Sequence, residues 1–211
     1  VTGFEEETGC QVNVKTFGTS DEAVKLMQGG GWDLVSASGD ATLRLIYGDS
    51  VQPVNTDLVP NYADVFADLK MQKFNSVNGV AYGIPHGRGA NLIMYNTNDV
   101  TPAPDSWAAT FEADSPYKGF VTAYDSPIFI ADAAVYLMAT QPELGITDPY
   151  ALDQTQFDAA MALLTQQKDL ISEYWSDYTK AIQAFKSGTT KIGTSWQVID
   201  NLAKSEGAPV E

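Results

Sequence analysis

Short β-forming runs alternate with helix-forming stretches through the first part of the chain, and this order limits the fold more than any other feature. Val12–Val14, Leu34–Val35 and Val51–Val54 are brief and apolar. Between them stand helical stretches at Thr19–Met27 and Ala41–Tyr47. A helix between successive strands predicts parallel strands in one sheet, covered by the helices that connect them. The boundaries have their own chemistry. Gly9 closes a helix ending in Phe4-Glu-Glu-Glu-Thr8, Thr19-Ser-Asp-Glu22 opens the next in capping-box style, and Gly29-Gly-Gly31 stops it.

Further along, Asn78-Gly79 between β-formers predicts a hairpin over Val77–Pro85. A strand follows at Asn91–Asn96, after a glycine-loosened loop, His86-Gly-Arg-Gly89. The polar segment Thr97–Asp105, with Pro102 and Pro104, reads as a crossing between domains. Beyond it lie a helix opening at Ser106-Trp107 and a strand Phe120–Tyr124. A long apolar helix spans Ile128–Thr140, with Pro127 in its first turn and Asp125 or Ser126 as its N-cap. Helices at Gln154–Lys168 and Thr179–Lys186, a strand at Lys191–Trp196 and a helix at Gln197–Glu206 complete the pass.

Composition removes several functions. A net charge of -15, from 27 acidic against 12 basic residues, argues against nucleic acid, whose binding needs clustered Lys and Arg. The single cysteine forbids an internal disulfide. Its neighbourhood, Gly9-Cys-Gln-Val-Asn-Val14, reads as a buried strand. The single histidine, His86, excludes a multi-histidine metal site. No apolar run reaches the length of a membrane span. No nucleophile elbow, zinc motif, phosphate loop or dinucleotide fingerprint occurs, so no cofactor is implied.

Asp33-Leu-Val-Ser-Ala-Ser-Gly-Asp40 is the most informative octapeptide. It reads as a buried strand opening into a loop of small residues, where open α/β sheets bind ligands because backbone amides and hydroxyls can come close. The alternative is a plain connection in which Ser38 or Asp40 caps the helix starting near Ala41. Four strand-end loops carry polar or aromatic groups: Ser38 with Asp40, His86 with Arg88, Asp125, and Trp196.

In order along the chain, Phe4-Glu-Glu-Glu-Thr-Gly-Cys-Gln-Val12, the helix with Glu22, Leu26 and Met27, Asp33-Leu-Val35, Tyr82-Gly-Ile-Pro85, Met94-Tyr-Asn96, Pro104-Asp-Ser-Trp107, Tyr174-Trp175, Phe185-Lys-Ser-Gly188 and Gly193-Thr-Ser-Trp196 form a pattern. It resembles the periplasmic solute-binding proteins of ABC transporters, in the spermidine/putrescine-binding branch. The resemblance covers nearly the whole chain. It implies an α/β, two-lobed periplasmic-binding-protein-like fold of type II, with residues 1–96 as lobe 1, 97–204 as lobe 2 and 205–211 starting a return crossing. It also implies that the chain opens inside the family's first helix and stops near that return, leaving lobe 1 incomplete.

The resemblance further implies a function without catalysis: capture of a small cationic solute, a polyamine such as spermidine or putrescine, for a membrane permease. The setting would be periplasmic or extracytoplasmic, the leader removed, with or without a lipid anchor, and the protein a monomer. Asp125, Trp196 and Ser38 fall at family contact positions. Asp125 can serve equally as a helix cap, and Trp196 as core. Asp40 and Arg88 fall where polyamine binders place aromatics. Either they pair with each other beside the site, or Arg88 holds the carboxylate of a zwitterion whose amine meets Asp125. His86 contacts ligand or serves as a hydrogen-bonded structural residue. The alternatives are therefore a receptor for an amino-acid-like or anionic solute on the same fold, and an enzyme using Asp40 and Asp125 as an acid–base pair.

Overall fold

The computed structural model describes residues 1–211. Its elements are α1 (Thr2–Thr8), α2 (Ser20–Gln28), α3 (Gly39–Tyr47), β1 (Ser76–Val77), β2 (Val80–Ala81), β3 (Leu92–Tyr95), α4 (Ala108–Phe111), β4 (Val121–Tyr124), α5 (Ile128–Thr140), α6 (Gln154–Gln167), β5 (Ile171–Trp175), α7 (Tyr178–Ser187), β6 (Ile192–Ser195) and α8 (Gln197–Ser205). Short 3-10 turns fill residues 56–69.

A four-stranded sheet in the order β3-β6-β4-β5 organises the second half. β4 runs parallel to β5 and β6, while β3 is antiparallel to β6, so the sheet is mixed. Its central strands are buried throughout. Side chains alternate between two cores, as the pleat requires. Tyr124 and Trp175 pack with Ile182 and Phe185 of α7 and Ile199 and Ala203 of α8. Ala123 packs on the opposite face with Phe111 of α4, Phe129, Ala133 and Leu137 of α5, and Ala160 of α6. The helix ends are chemically specified. Asp153 and Gln156 form a reciprocal capping box on α6, and Gly188 ends α7 at φ 74°, a left-handed conformation that glycine adopts without strain.

Gly193 marks where β6 lies hardest against β4. A Cβ there would sit 2.2 Å from the Thr122 carbonyl oxygen, so only glycine fits. The last residues pair beside the end of β3: the Tyr95 amide donates to the Glu211 carbonyl at 2.8 Å, and the Thr97 amide to that of Pro209 at 2.8 Å.

The first half holds a smaller core, Val24, Ala41 and Leu45 between α2 and α3, with Val35 and Ala37 against it. The hairpin forms as expected, with Asn78 at φ 51° and Gly79 at φ 77°. The expected parallel sheet of this half does not form. Val12–Val14 and Leu34–Val35 belong to no strand, and Leu34 is 91% exposed. An extended segment is a strand only when a neighbour takes up its amides and carbonyls, and neither segment has one here. Cys10, expected to be buried, is exposed for the same reason. The parallel pairing instead uses β5, a strand that the sequence reading omits.

Candidate functional site

A cleft of about 640 Å3 separates the loops of the first half from the sheet edge of the second. Residues 35–39 and 82–91 form one wall; Tyr124, Ile128, Tyr150 and Trp196 form the other. Ser38, His86, Arg88 and Trp196 all line it. Asp125 lines a neighbouring cavity of about 870 Å3, among Asp21, Glu22, Lys25, Arg44 and Lys168. Tyr124, Gly18 and Thr19 border both. Asp40 borders neither directly; it accepts a hydrogen bond from the Ser38 hydroxyl at 2.6 Å.

Several side chains differ from expectation. Ser38 stands at the N-cap of α3, but its hydroxyl is committed to Asp40 and caps nothing. Neither Asp125 nor Ser126 caps α5. The N-cap position is Pro127, without a side-chain bond, because Ser126 donates instead to Asp21 Oδ2 at 2.7 Å. The Asp125 side chain is thus exposed and uncommitted, while its amide donates to the Trp175 carbonyl at 2.8 Å. The expected Arg88–Asp40 pair is absent. Arg88 reaches Asp68 at 2.9 Å, since its loop lies over the 3-10 turn Ala67–Leu69 while Asp40 is turned toward Ser38. His86 Nε2 and the Ser36 hydroxyl are 2.9 Å apart.

Trp196 serves as both core and wall. Its ring meets Tyr124 and Trp175 edge-on, each at 4.9 Å, and those two stack on each other at 4.6 Å. It is half-buried, with one side on the cleft. Its Nε1–H donates to Asn91 Oδ1 at 2.9 Å, and the Asn91 amide donates in turn to Asp132 Oδ2 at 2.7 Å. Burial pushes the Asp132 carboxyl up to about 6, against the opposing pull of the Asn91 bond.

The electrostatic character of the cleft shows in its tyrosines. Burial raises the Tyr124 phenol; a hydrogen bond with Ser126 lowers it, and Asp21, Asp40 and Asp125 raise it again. Tyr150 is raised by burial and then by Asp40, Asp132 and Asp148. Several carboxylates therefore bear on an aromatic surface. Such a field welcomes a cation, which gains from both ring faces and carboxylates. No group of three His, Cys, Asp or Glu side chains is placed to hold a metal ion. Sequence reasoning passed over Asp21, Asn91, Tyr124, Asp132 and Tyr150. Asp132 alone left a signal: it is the one charge in the apolar run Ile128–Thr140.

The family described as bacterial extracellular solute-binding protein matches residues 1–211. A putrescine/agmatine-binding protein of Pseudomonas aeruginosa is 29% identical over 120 residues, covering 53% of this chain and 33% of that protein. Among solved structures, the spermidine/putrescine ABC transporter substrate-binding protein PotD from Streptococcus pneumoniae superposes with TM-score 0.70 at 19% identity. MotA from A. tumefaciens B6, in complex with glucopine, gives 0.71 at 19%. Each structural match takes in 100% of this chain, which spans 62% of either protein's length. The periplasmic-binding-protein fold is thereby shared. No helix is long and apolar enough to cross a membrane.

Proposed function

This chain belongs to the bacterial extracellular solute-binding proteins, and from that premise we propose that it captures a small cationic solute between two lobes for an ABC-transporter permease. The solute class is a polyamine such as putrescine or spermidine, and the setting is extracytoplasmic. Lobe 1 is residues 1–96 and lobe 2 is 97–204, with 205–211 as the return crossing. Ser38, Asp40, Arg88 and His86 offer contacts from the first, Asp125 and Trp196 from the second.

One observation carries the reading: Tyr124, edge-on to Trp196 at the cleft, feels Asp21, Asp40 and Asp125, and the Asp125 carboxylate has no side-chain partner. An alkyl diammonium lays its methylenes on the rings and its charged ends beside the carboxylates. It thereby replaces the water that a desolvated carboxylate loses. The putrescine/agmatine-binding relative adds the choice of amine. Capture involves no bond making; a ligand held by both walls favours the closed form by its differential affinity for it.

A second reading rests on Arg88. Its side chain is 75% exposed at the cleft and its partner Asp68 is 63% exposed, so the guanidinium is free to exchange partners for the carboxylate of a zwitterion. Calorimetric titration of the protein at its full natural length separates the readings. Binding of putrescine or spermidine with no response to amino acids supports the first. Binding of an amino acid or anion alone hands the site to Arg88.

A further inference from the structure

We propose that Asp132 is a positioning residue of the cleft: through the Asn91 amide its carboxylate fixes the orientation of the Trp196 indole, and protonating that carboxylate loosens the indole. This rests on the proposed function only in making Trp196 a wall that solute touches.

The geometry is directional. Indole Nε1–H is a donor only, and an ionised carboxylate is an acceptor only. Between them, Asn91 must turn its oxygen to the indole and its amino group to Asp132, as observed at 2.9 and 2.7 Å. The flipped amide would face donor with donor and acceptor with acceptor. The charge on Asp132 therefore enforces one amide orientation, which in turn enforces one indole orientation. A neutral carboxyl can donate as well as accept, so only the indole bond then selects the amide orientation and the hold on the pair weakens. The relay joins three separate segments: α5, the residue before β3, and the residue before α8.

The surroundings leave Asp132 to titrate on its own. No Lys, Arg or His lies within ion-pairing distance of it. On its own helix the next titratable group is Tyr136, whose hydroxyl donates to Glu112. From the segment after α5 it faces Tyr150, on which Asp148 and, from α3, Asp40 also bear. Asp148 is tied to Lys73 at 2.9 Å. Asn91 and Trp196 are themselves neutral; the loop before Asn91 carries His86, held to Ser36, and Arg88, held to Asp68, and the helix after Trp196 carries Asp200, held to Lys204. With burial holding the Asp132 carboxyl at about 6, its charge changes within the range of ordinary buffers.

The test is tryptophan fluorescence of the solute-free protein from about pH 4.5 to 8. The expected result is a transition near pH 6 in the natural protein that is lost in Asp132→Asn and in Trp196→Phe. His86→Gln, which alters the one histidine of the same cleft, keeps it. Should Asp132→Asn misfold by circular dichroism, Asn91→Ala decides: it cuts the relay while leaving Asp132 free to ionise, and must also lose the transition. No transition in the natural protein, or one that survives in Trp196→Phe or in Asn91→Ala, overturns the proposal. If the pattern holds while neither putrescine nor spermidine binds, the relay stands and the functional reading falls.

Discussion

Ser126 and Asp21 are 105 residues apart in sequence, yet the Ser126 hydroxyl donates to Asp21 Oδ2 at 2.7 Å. The other oxygen of the same carboxylate receives Arg44. One aspartate in the first turn of α2 thus ties the end of β4 to α3 beside the cleft. Lys73 and Asp148, at 2.9 Å, make a second tie between the two halves.

Removing the first tie should loosen closure. A hydrogen bond to a charged acceptor contributes about 1.5–3 kcal/mol when buried, and this one is only part-buried, so about 1 kcal/mol is expected from Ser126→Ala. That shifts an open–closed equilibrium about fivefold. Small-angle scattering should show a larger radius of gyration for the variant; superimposable curves would count against the latch.

Gly193→Ala should be the most damaging conservative change in the sheet. Its Cβ would lie 2.2 Å from the Thr122 oxygen and 2.5 Å from Thr122 Cγ2, both on a buried central strand. Overpacking of this kind costs about 1–3 kcal/mol, with the upper end expected where backbone must move. Gly83→Ala, which meets nothing within 4 Å, is the control and should change stability by less than about 0.5 kcal/mol. Urea midpoints of the two variants give the comparison.

Asp132 should leave a signature in stability against pH. Its folded carboxyl is raised to about 6 from an ordinary 3.8, so the folded state keeps a proton that the unfolded chain gives up. Its contribution is whole below about pH 4 and fades as pH rises through about 6. At 1.36 kcal/mol per pKa unit this amounts to about 3 kcal/mol. The stability difference between the natural protein and Asp132→Asn should shrink by that order from pH 4 to pH 7.5. A difference constant with pH would place the carboxyl elsewhere on the scale.

Asp125→Asn tests the amine site. The substitution keeps shape and removes charge from an exposed carboxylate with no side-chain partner in the fold. If that carboxylate meets an ammonium in the closed form, putrescine affinity should fall more than tenfold, within the 2–5 kcal/mol range for truncated charge pairs. Unchanged calorimetric affinity would remove Asp125 from the contact set.

What the sequence revealed follows the range of the forces involved. The Asn78-Gly79 turn, the Thr19 cap of α2 and the stop of α1 at Gly9 are local, and their residues state them directly. β4 and β6 were legible as short runs with β-formers, Val-Thr-Ala-Tyr and Ile-Gly-Thr-Ser, set between turn and helix signals. β5 was not, since Ile-Ser-Glu-Tyr-Trp alternates faintly and follows α6 with hardly a break. Leu34–Val35 reads as a strand by composition, but pairing is a property of neighbours that composition does not carry. In the cleft, strand-end logic located Ser38, His86, Arg88 and Trp196. It missed Asn91 and Asp132, whose partners lie 105 and 41 residues away along the chain.

Tyr124 stacks on Trp175, which is wholly inaccessible, and meets Trp196 edge-on, while bordering both cavities. The rings that hold the sheet to α7 and α8 are therefore continuous with the rings that line the cleft. Substitutions around them should be strongly epistatic, because a change accepted for its effect on recognition also alters the fold's margin of safety. A lineage of such proteins exploring new solutes would find the first half's loops freer to vary than the aromatic wall. Diversification of preference should accordingly begin among residues such as Arg88 and His86, whose replacement costs the interior nothing.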